Sequence, residues 1–362
     1  MSSGPDQSAP LISAADVARY FTARLGSPVA VTSLQQTFPG LSRETYLVNA
    51  VVAGEPRGFV LRVDPPWGGG TPMSLRHEWE VYVRLWRSPI PVAEPLWYEE
   101  GGEFAQGRPH MVRALVAGST TVPGLTDDSS VGADLRRRVV RSHVEKLAEV
   151  HRLDWAAYGF DAFMNVPQTA AEALRLEFDR WRRLWLERRT EPYPMITEAL
   201  FWLEEHIPRD TPFVSLVKGN NGVGEEIFRD GRIVAMSDWE LASLGDGALD
   251  LGFSQGTLSL AGFGEAVRYY GECVGHEVSP QRLAFAMFWI MFKIIVCLNT
   301  CFLRGFIAGR DPRLASPAFG LLSVRQYERR LAASIGKDPV AALADLGLET
   351  DRSTYAEIGA RK

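Results

Sequence analysis

Residues 213–253 read FVSLVKGNNGVGEEIFRDGRIVAMSDWELASLGDGALDLGF, and the punctuation of this stretch decides the fold. Residues 213–217 are an apolar run short enough for a buried strand, and the run stops at a tight polar turn, Lys218-Gly219-Asn220-Asn221-Gly222. A second short segment, 226–228, runs into Arg229-Asp230-Gly231, a hairpin signal. Residues 232–236 give the returning strand, and a carboxylate, Asp238, follows it. Short strands therefore flank a polar loop. The layout places Asn220, Glu225 and Asp238 near one another at the mouth of a small sheet.

This stretch resembles the aminoglycoside phosphotransferase family, which is similar to the protein kinases and acts on small molecules. Members carry His-Gly-Asp-x-x-x-x-Asn, a hairpin, Asp-Trp-Glu, and then Gly-Asp-Pro-x-x-Asp-Leu. The tail is matched by Asp238-Trp239-Glu240, by Gly245-Asp246-Gly247 and by Asp250-Leu251. The front departs from the pattern: Lys218-Gly219-Asn220 stands for His-Gly-Asp, and Glu225 stands for the Asn. The resemblance implies an α/β (α+β) protein with the two-lobed protein-kinase-like fold. Residues 1–10 would be a disordered tail and 11–116 an N-terminal nucleotide-binding lobe built on an antiparallel sheet. Residues 117–362 would form a larger, mainly helical C-terminal lobe, with the catalytic loop at 216–240.

Working outward to the N-terminus, Ser13-Ala14-Ala15-Asp16 opens an amphipathic helix with Val17, Tyr20, Phe21 and Leu25 on one face. Residues 29–36, 45–52 and 58–63 read as strands. The loop between the first two, 37–44, contains Gly40, Ser42 and a bulky Arg43-Glu44 pair; an ordinary hairpin loop accounts for it as well as a phosphate cover does. In the family this loop covers the nucleotide phosphates with backbone N–H groups. Arg62, near the end of the third strand, falls where the family places a strand-borne cation for the α- and β-phosphates. Glu78, on a helix over 75–86, is in register to pair with it, and Glu80 is the competitor on the opposite side of that helix. A strand at 110–116 precedes the expected hinge, so that Arg113, Ala114 and Leu115 would lie along the adenine edge.

Beyond the hinge the chain turns helical, over 134–153, 170–189, 194–206, 258–274, 280–303 and 323–335, with a polar tail after the last. His151 reads as a structural histidine, and Trp181, Trp185 and Trp202 as core. Residues 285–297 are membrane-like in composition, but the run is short and Lys293 and Asn299 interrupt it, so a buried core helix is expected. Cys273, Cys297 and Cys301 make neither a disulfide framework nor a metal site with histidine.

The departures bear on chemistry. In the family the loop Asp orients and deprotonates the acceptor hydroxyl, while the Asn and the Asp of Asp-Trp-Glu hold Mg²⁺. Carried over residue by residue, Asp238 and Glu225 are the metal ligands, and Asn220 stands at the base position with no carboxylate to accept the proton. The resemblance thus implies ATP and Mg²⁺ as cofactors and an atypical small-molecule O-phosphotransferase, with Glu225 or Glu226 taking part of the lost role. Two alternatives stay open. One is a pseudokinase that binds nucleotide without turnover; the other is a cleft repurposed for lyase or nucleotidyl-transfer chemistry by Lys218, Glu225 and Glu226. The formal charge of −5 gives no basic footprint for nucleic acid. The N-terminal residues show no apolar leader, so a cytoplasmic protein away from the membrane is expected. Arginines interleaved with tryptophans over 171–189 point to an apolar or anionic acceptor, such as an acyl thioester or a hydrophobic alcohol, over a polycationic antibiotic.

Overall fold

The first helix, α1 (Ala14–Leu25), starts where a reciprocal cap satisfies its free N–H groups: the Asp16 N–H donates to Ser13 Oγ at 3.2 Å and the Ser13 N–H to Asp16 Oδ2 at 3.3 Å. Its buried stripe, Val17 and Phe21, packs on an antiparallel sheet through an edge-to-face contact of Phe21 with Phe59. That sheet comprises β1 (Val29–Gln36), β2 (Glu44–Val52), β3 (Glu55–Val63), β4 (Pro95–Glu99) and β5 (His110–Ala114), in the order β1-β2-β3-β5-β4. Alternate residues of β2 are buried, so one sheet face covers the core with α1 and the register is fixed. Helix α2 (Leu75–Leu85) lies against β4 and β5, with Ser74 Oγ accepting from the His77 N–H at 3.2 Å as its N-cap. The computed structural model describes residues 12–37, 42–68, 71–309, 312–315 and 323–345. The expected tail at 1–10 and the loop residue Gly40 lie outside them.

The second part is mainly helical: α3 (Ser130–His151), α4 (Ala173–Arg188), α5 (Pro194–Glu205), α6 (Ala248–Phe253), α7 (Gln255–Leu258), α8 (Phe263–Val274), α9 (Pro280–Cys297), α10 (Arg304–Gly309), α11 (Ser323–Ser334) and α12 (Pro339–Asp345). The fold is the kinase-like one expected, an antiparallel sheet lobe followed by a helical lobe. Several boundaries differ for local reasons. Helix α3 begins at Ser130 because Ser129 Oγ accepts from the Gly132 N–H and starts the helix before the hydrophobic pattern becomes visible. The helix expected from 258 is interrupted at Gly262, whose φ of 101° no helix accommodates, and α8 starts after it. The last turns expected of α9 are a π-helix, Leu298–Leu303. The tail expected to be merely polar contains α12.

The segment Pro280–Gly309 is long and apolar enough to cross a membrane, its apolar 18-residue window having a mean hydropathy of 2.0, yet 78% of that window is buried within the fold. Phe285, Phe288, Trp289 and Phe292 of α9 pack into one core with Phe178, Trp181 and Trp185 of α4 and with Trp202 of α5. It is the central helix of the helical lobe. Lys293 is buried with Nζ 4.9 Å from the centre of the Trp181 ring and 3.8 Å from Glu177 Oε1.

Candidate active site

The polar loop at 218–226 leaves a short strand, β6 (Ser215–Val217), which pairs antiparallel with β9 (Ser243–Gly245). Gly219 has φ 81°, and a Cβ there would stand 2.6 Å from Leu241 O, so glycine is required for the chain to pass. The loop is pinned from behind by Asp250 of α6. Its carboxylate accepts from the N–H groups of Lys218 and Gly219, each at 2.7 Å, from Asn221 Nδ2 at 2.9 Å and from His151 Nε2 at 3.0 Å. Burial alone would raise the Asp250 carboxyl; the His151 hydrogen bond and charge and the two backbone donors hold it below its ordinary value. The other ring nitrogen of His151 meets Tyr270 Oη at 2.7 Å, so both are committed and the residue is structural.

Two residues expected in the chemistry are turned under this loop. The Lys218 side chain is fully buried: Nζ donates to Asn220 O, lies 3.5 Å from Glu226 Oε1 and stands 5.5 Å from the centre of the Trp239 ring. Glu226 is also fully buried, accepting the Gly222 N–H at 2.6 Å, and burial pushes its carboxyl up to about 7 despite the lysine. The sequence placed both in the chemistry of the cleft; here they pack beneath the loop. A lysine taken out of water needs a partner and backbone acceptors, and both lie behind the loop.

The cleft face holds Asn220, Glu225 and Asp238. Asp238 follows β8 (Arg232–Ala235), the second strand of the hairpin with β7 (Ile227–Arg229), and takes φ 63°, a left-handed conformation rare for a residue with a Cβ. Its Oδ2 accepts from Asn220 Nδ2 and its Oδ1 from Arg62 Nη1 at 3.0 Å. Glu225, half-buried, shares a hydrogen bond with Asp238; burial first, and then the Asp238 charge, push the Glu225 carboxyl up to about 8. Asp238 itself is held low, because the Arg62 and Lys218 charges outweigh its burial.

Arg62 reaches this group from β3. Its Nη1 is 2.5 Å from Glu78 Oε1 and its Nη2 is 3.0 Å from Glu240 Oε2. Glu78 lies on the buried stripe of α2 with Leu75, Val81, Tyr82 and Leu85, whereas Glu80 faces outward and pairs with Arg84 at 2.6 Å. The helical period thus separates the two glutamates as expected. Ser42 donates to Glu240 Oε2 at 2.8 Å.

Two residues were not assigned from the sequence. Arg43 and Glu44 part company: Glu44 turns to Arg108 at 3.0 Å, while Arg43 enters the cleft and donates to Glu240 Oε2 at 2.6 Å. Glu240 is buried in the middle of this network, and burial and the neighbouring Asp238 raise it to about 7. The signal for Glu240 was its place in Asp-Trp-Glu. For Arg43 the sequence carries none, because its role depends on a partner far along the chain.

Arg113 and Leu115, expected along the adenine edge, stand at the end of β5. The Ala114 N–H donates to Glu94 O at 2.9 Å and the Leu115 N–H to Gly58 O at 3.0 Å, so the extended sheet takes both. The Arg113 guanidinium lies over the Tyr82 ring, 4.9 Å from its centre, and the Leu115 side chain covers Gly58. The Ala114 and Leu115 backbone donors are thus used within the sheet lobe, while Arg113 Nε is buried without a hydrogen-bond partner.

A hard cation fits the donor set. Asp238 and Glu225 bring two carboxylates into hydrogen-bond contact, an arrangement that calls for a proton or a cation between them. Among the described residues no cluster of three or more His, Cys, Asp or Glu forms a ready-made metal cage. One or two carboxylates completed by phosphate oxygens is how Mg²⁺ is ordinarily held beside a nucleotide.

A sheet lobe over a helical lobe, with an arginine–glutamate pair facing an aspartate in the left-handed conformation, defines a kinase-like phosphotransferase scaffold. The profile of the phosphotransferase enzyme family matches residues 35–272, and the chain belongs to that family. A putative aminoglycoside phosphotransferase from Ralstonia eutropha JMP134 superimposes with a TM-score of 0.64 at 19% identity, covering 90% of this chain and 99% of that one. A thermostable mutant of aminoglycoside phosphotransferase APH(4)-Ia, in ternary complex with ADP and hygromycin B, superimposes with a TM-score of 0.56 at 18% identity, covering 89% and 100%. In sequence, acyl-CoA dehydrogenase family member 11 of Gallus gallus is 24% identical over 297 residues, which is 74% of this chain and 36% of that protein. The chain therefore spans about a third of that relative's length.

Proposed function

We propose that this protein is an ATP- and Mg²⁺-dependent small-molecule O-phosphotransferase of altered base chemistry, acting on an acceptor other than an aminoglycoside. The observation that carries this reading is the convergence of Arg62, paired with Glu78, on Asp238 at the mouth of a loop that Asp250 fixes from behind. In this reading Asp238 and Glu225 hold Mg²⁺, which would offset charge on the phosphates, and Arg62 grips the phosphates. The acceptor hydroxyl oxygen bonds to the γ-phosphorus as the bond from that phosphorus to the β,γ-bridging oxygen breaks, releasing ADP. The hydroxyl proton passes to solvent, because the Asn220 amide cannot take it and Glu225 is engaged with the cation in this reading. Losing general-base assistance costs about 10²–10⁴ in rate, which leaves a slow enzyme.

An apolar or anionic acceptor suits the helical lobe. Arg180 of α4 pairs with Glu177 at 3.2 Å, and Glu177 also faces Lys293, so the charge of this buried glutamate is already offset. A hydroxyl-bearing acyl thioester or a hydrophobic alcohol fits better than a polycation, and the acyl-CoA in the name of the longer relative points the same way. A second reading, a nucleotide-binding pseudokinase, is favoured by one observation: the Asn220 amide is engaged by Asp238 at the position where an acceptor would be oriented.

Calorimetric titration of ATP with and without Mg²⁺, on the wild type and on Asp238→Ala, tests the nucleotide site. The expected outcome is metal-dependent binding that the substitution abolishes. No binding at millimolar ATP would remove the kinase reading altogether. ADP release with hydroxyl acceptors of each class then separates the slow enzyme from the pseudokinase.

A further inference from the structure

Three donors meet on one carboxylate oxygen in the cleft. Glu240 Oε2 accepts from Ser42 Oγ at 2.8 Å, from Arg43 Nη1 at 2.6 Å and from Arg62 Nη2 at 3.0 Å. Ser42 and Arg43 immediately precede β2, and Arg62 stands on the adjacent strand β3, paired with Thr45. Arg43 is held on every side. Its side chain has no exposed surface, Nε donates to Asp64 Oδ1 at 2.8 Å and Nη2 to Met73 O at 2.7 Å. With those two nitrogens fixed, Nη1 is left for the cleft, where it bonds to Glu240 and stands 3.9 Å from Glu78 Oε2.

Placing two guanidinium groups side by side away from water is unfavourable unless an anion sits between them. A guanidinium held rigid with one N–H aimed at an anionic oxygen makes a charge-assisted hydrogen bond to a phosphate oxygen as it does to a carboxylate. A hydroxyl and two guanidinium nitrogens around one anionic oxygen match a phosphate oxygen as well as they match a carboxylate. Exchanging one for the other keeps every charge-assisted hydrogen bond.

We propose that Ser42 Oγ, Arg43 and Arg62 form an oxyanion cradle for a phosphate group of the bound nucleotide, with Arg43 as a second gripping cation, and that the Glu240 carboxylate fills the cradle in its absence and leaves when the phosphate enters. The inference rests on the ATP reading above and adds to it a binding residue and a competing internal ligand. It makes Arg43 and Glu240 opposite in effect. Removing the first weakens anion binding, and neutralising the second strengthens it.

The test is calorimetry on the full chain with three probes, pyrophosphate, MgATP and adenosine, on the wild type, Arg43→Gln, Arg43→Lys and Glu240→Gln. Arg43→Gln is expected to weaken pyrophosphate and MgATP by about 10–100-fold, the size of a charge-assisted hydrogen bond, with adenosine unchanged. Arg43→Lys retains the charge without the fork and falls between. Glu240→Gln is expected to tighten pyrophosphate several-fold, and this arm remains decisive if Arg43→Gln fails to fold. Wild-type binding of MgATP, with pyrophosphate unaffected by Arg43→Gln or not tightened by Glu240→Gln, overturns the cradle and leaves the nucleotide reading standing. Equal loss of adenosine and pyrophosphate in Arg43→Gln also overturns it, since Arg43 would then only support the structure. Wild-type binding of pyrophosphate without ATP supports the cradle and removes the nucleotide reading. Binding of neither removes both.

Discussion

At position 220 an amide donates to Asp238, where the family pattern has a carboxylate that would repel it. That hydrogen bond has a consequence for the variant that restores the pattern. Asn220→Asp puts a third carboxylate beside Asp238 and Glu225 and removes a donor, so the metal-free protein should lose about 1–3 kcal/mol of stability. Chemical denaturation in the presence of a chelator measures this, and added Mg²⁺ with ATP should narrow the gap. Turnover should move in the other direction, with ADP release rising towards the ~10²–10⁴ that a general base supplies. A variant that binds MgATP as before yet releases ADP no faster would show that the base position does not limit this protein. At this scale the sequence was informative wherever a residue type carries its own chemistry. Asn220, Glu225 and Asp238 do meet, and Glu78 is the partner of Arg62. The burial of Lys218 and Glu226 was not legible, because adjacent residues of a loop face opposite ways, and which of Glu225 and Glu226 turns inward is set by Lys218 and the Gly222 N–H.

Elements with a clear period were legible: α1, α2 and α4 from their apolar stripes, the hairpin β7–β8 from Asp230-Gly231. The segment from 242 to 254 was not, although its Gly-Asp and Asp-Leu motifs were visible. It is apolar and glycine-rich with no helical or strand period, and it divides into β9 and α6 because tertiary partners fix its two aspartates. Asp246 accepts from Arg282 Nε and Thr211 Oγ1, each at 2.8 Å, and from the Ala248 N–H at 2.9 Å, while Arg282 Nη2 completes a two-pronged pair. Burial would raise the Asp246 carboxyl, but the Arg282 hydrogen bond and charge hold it below the ordinary 3.8. A lowered folded-state value means that this contribution is complete above 3.8 and is lost as the pH falls through the folded-state value. Asp246→Asn should therefore cost about 3–5 kcal/mol near neutral pH by leaving Arg282 buried without its anion. The difference from wild type should shrink progressively in urea unfolding below the ordinary aspartate value. A constant difference across that range would mean that the substitution acts through shape and not through charge.

Among the described residues, three of the contacts that tie the two lobes together bear on the cleft or on the connector. The first is the Arg43–Glu240 and Arg62–Asp238 network, and the second is the His77 ring, whose Nε2 meets Ala242 O at 2.8 Å. Burial holds His77 down to about 4, so the imidazole remains neutral and donates to that carbonyl. The third lies outside the cleft, where Trp67, in the connector after β3, rests on α10. A Cβ added at Gly305 would stand 2.7 and 2.8 Å from Trp67 Cε3 and Cζ3 and 2.9 Å from Leu314 Cδ1. No reading of the sequence finds this contact, since neither a connector tryptophan nor a helical glycine announces a partner. Gly305→Ala sets two known terms against each other. Alanine favours the helix by about 1 kcal/mol, and crowding a filled site costs about 1–3 kcal/mol. Because the indole is the mobile side of the contact, the connector should yield first. Hydrogen exchange at the Asp64, Trp67 and Gly68 amides should quicken while α10 keeps its protection, and overall stability should fall by no more than about 2 kcal/mol. If the connector clamps the lobes so that Arg62 meets Asp238, MgATP affinity should fall in the same variant. Unchanged exchange together with a gain in stability would show that Trp67 repacks freely and that the cleft network alone holds the lobes in register.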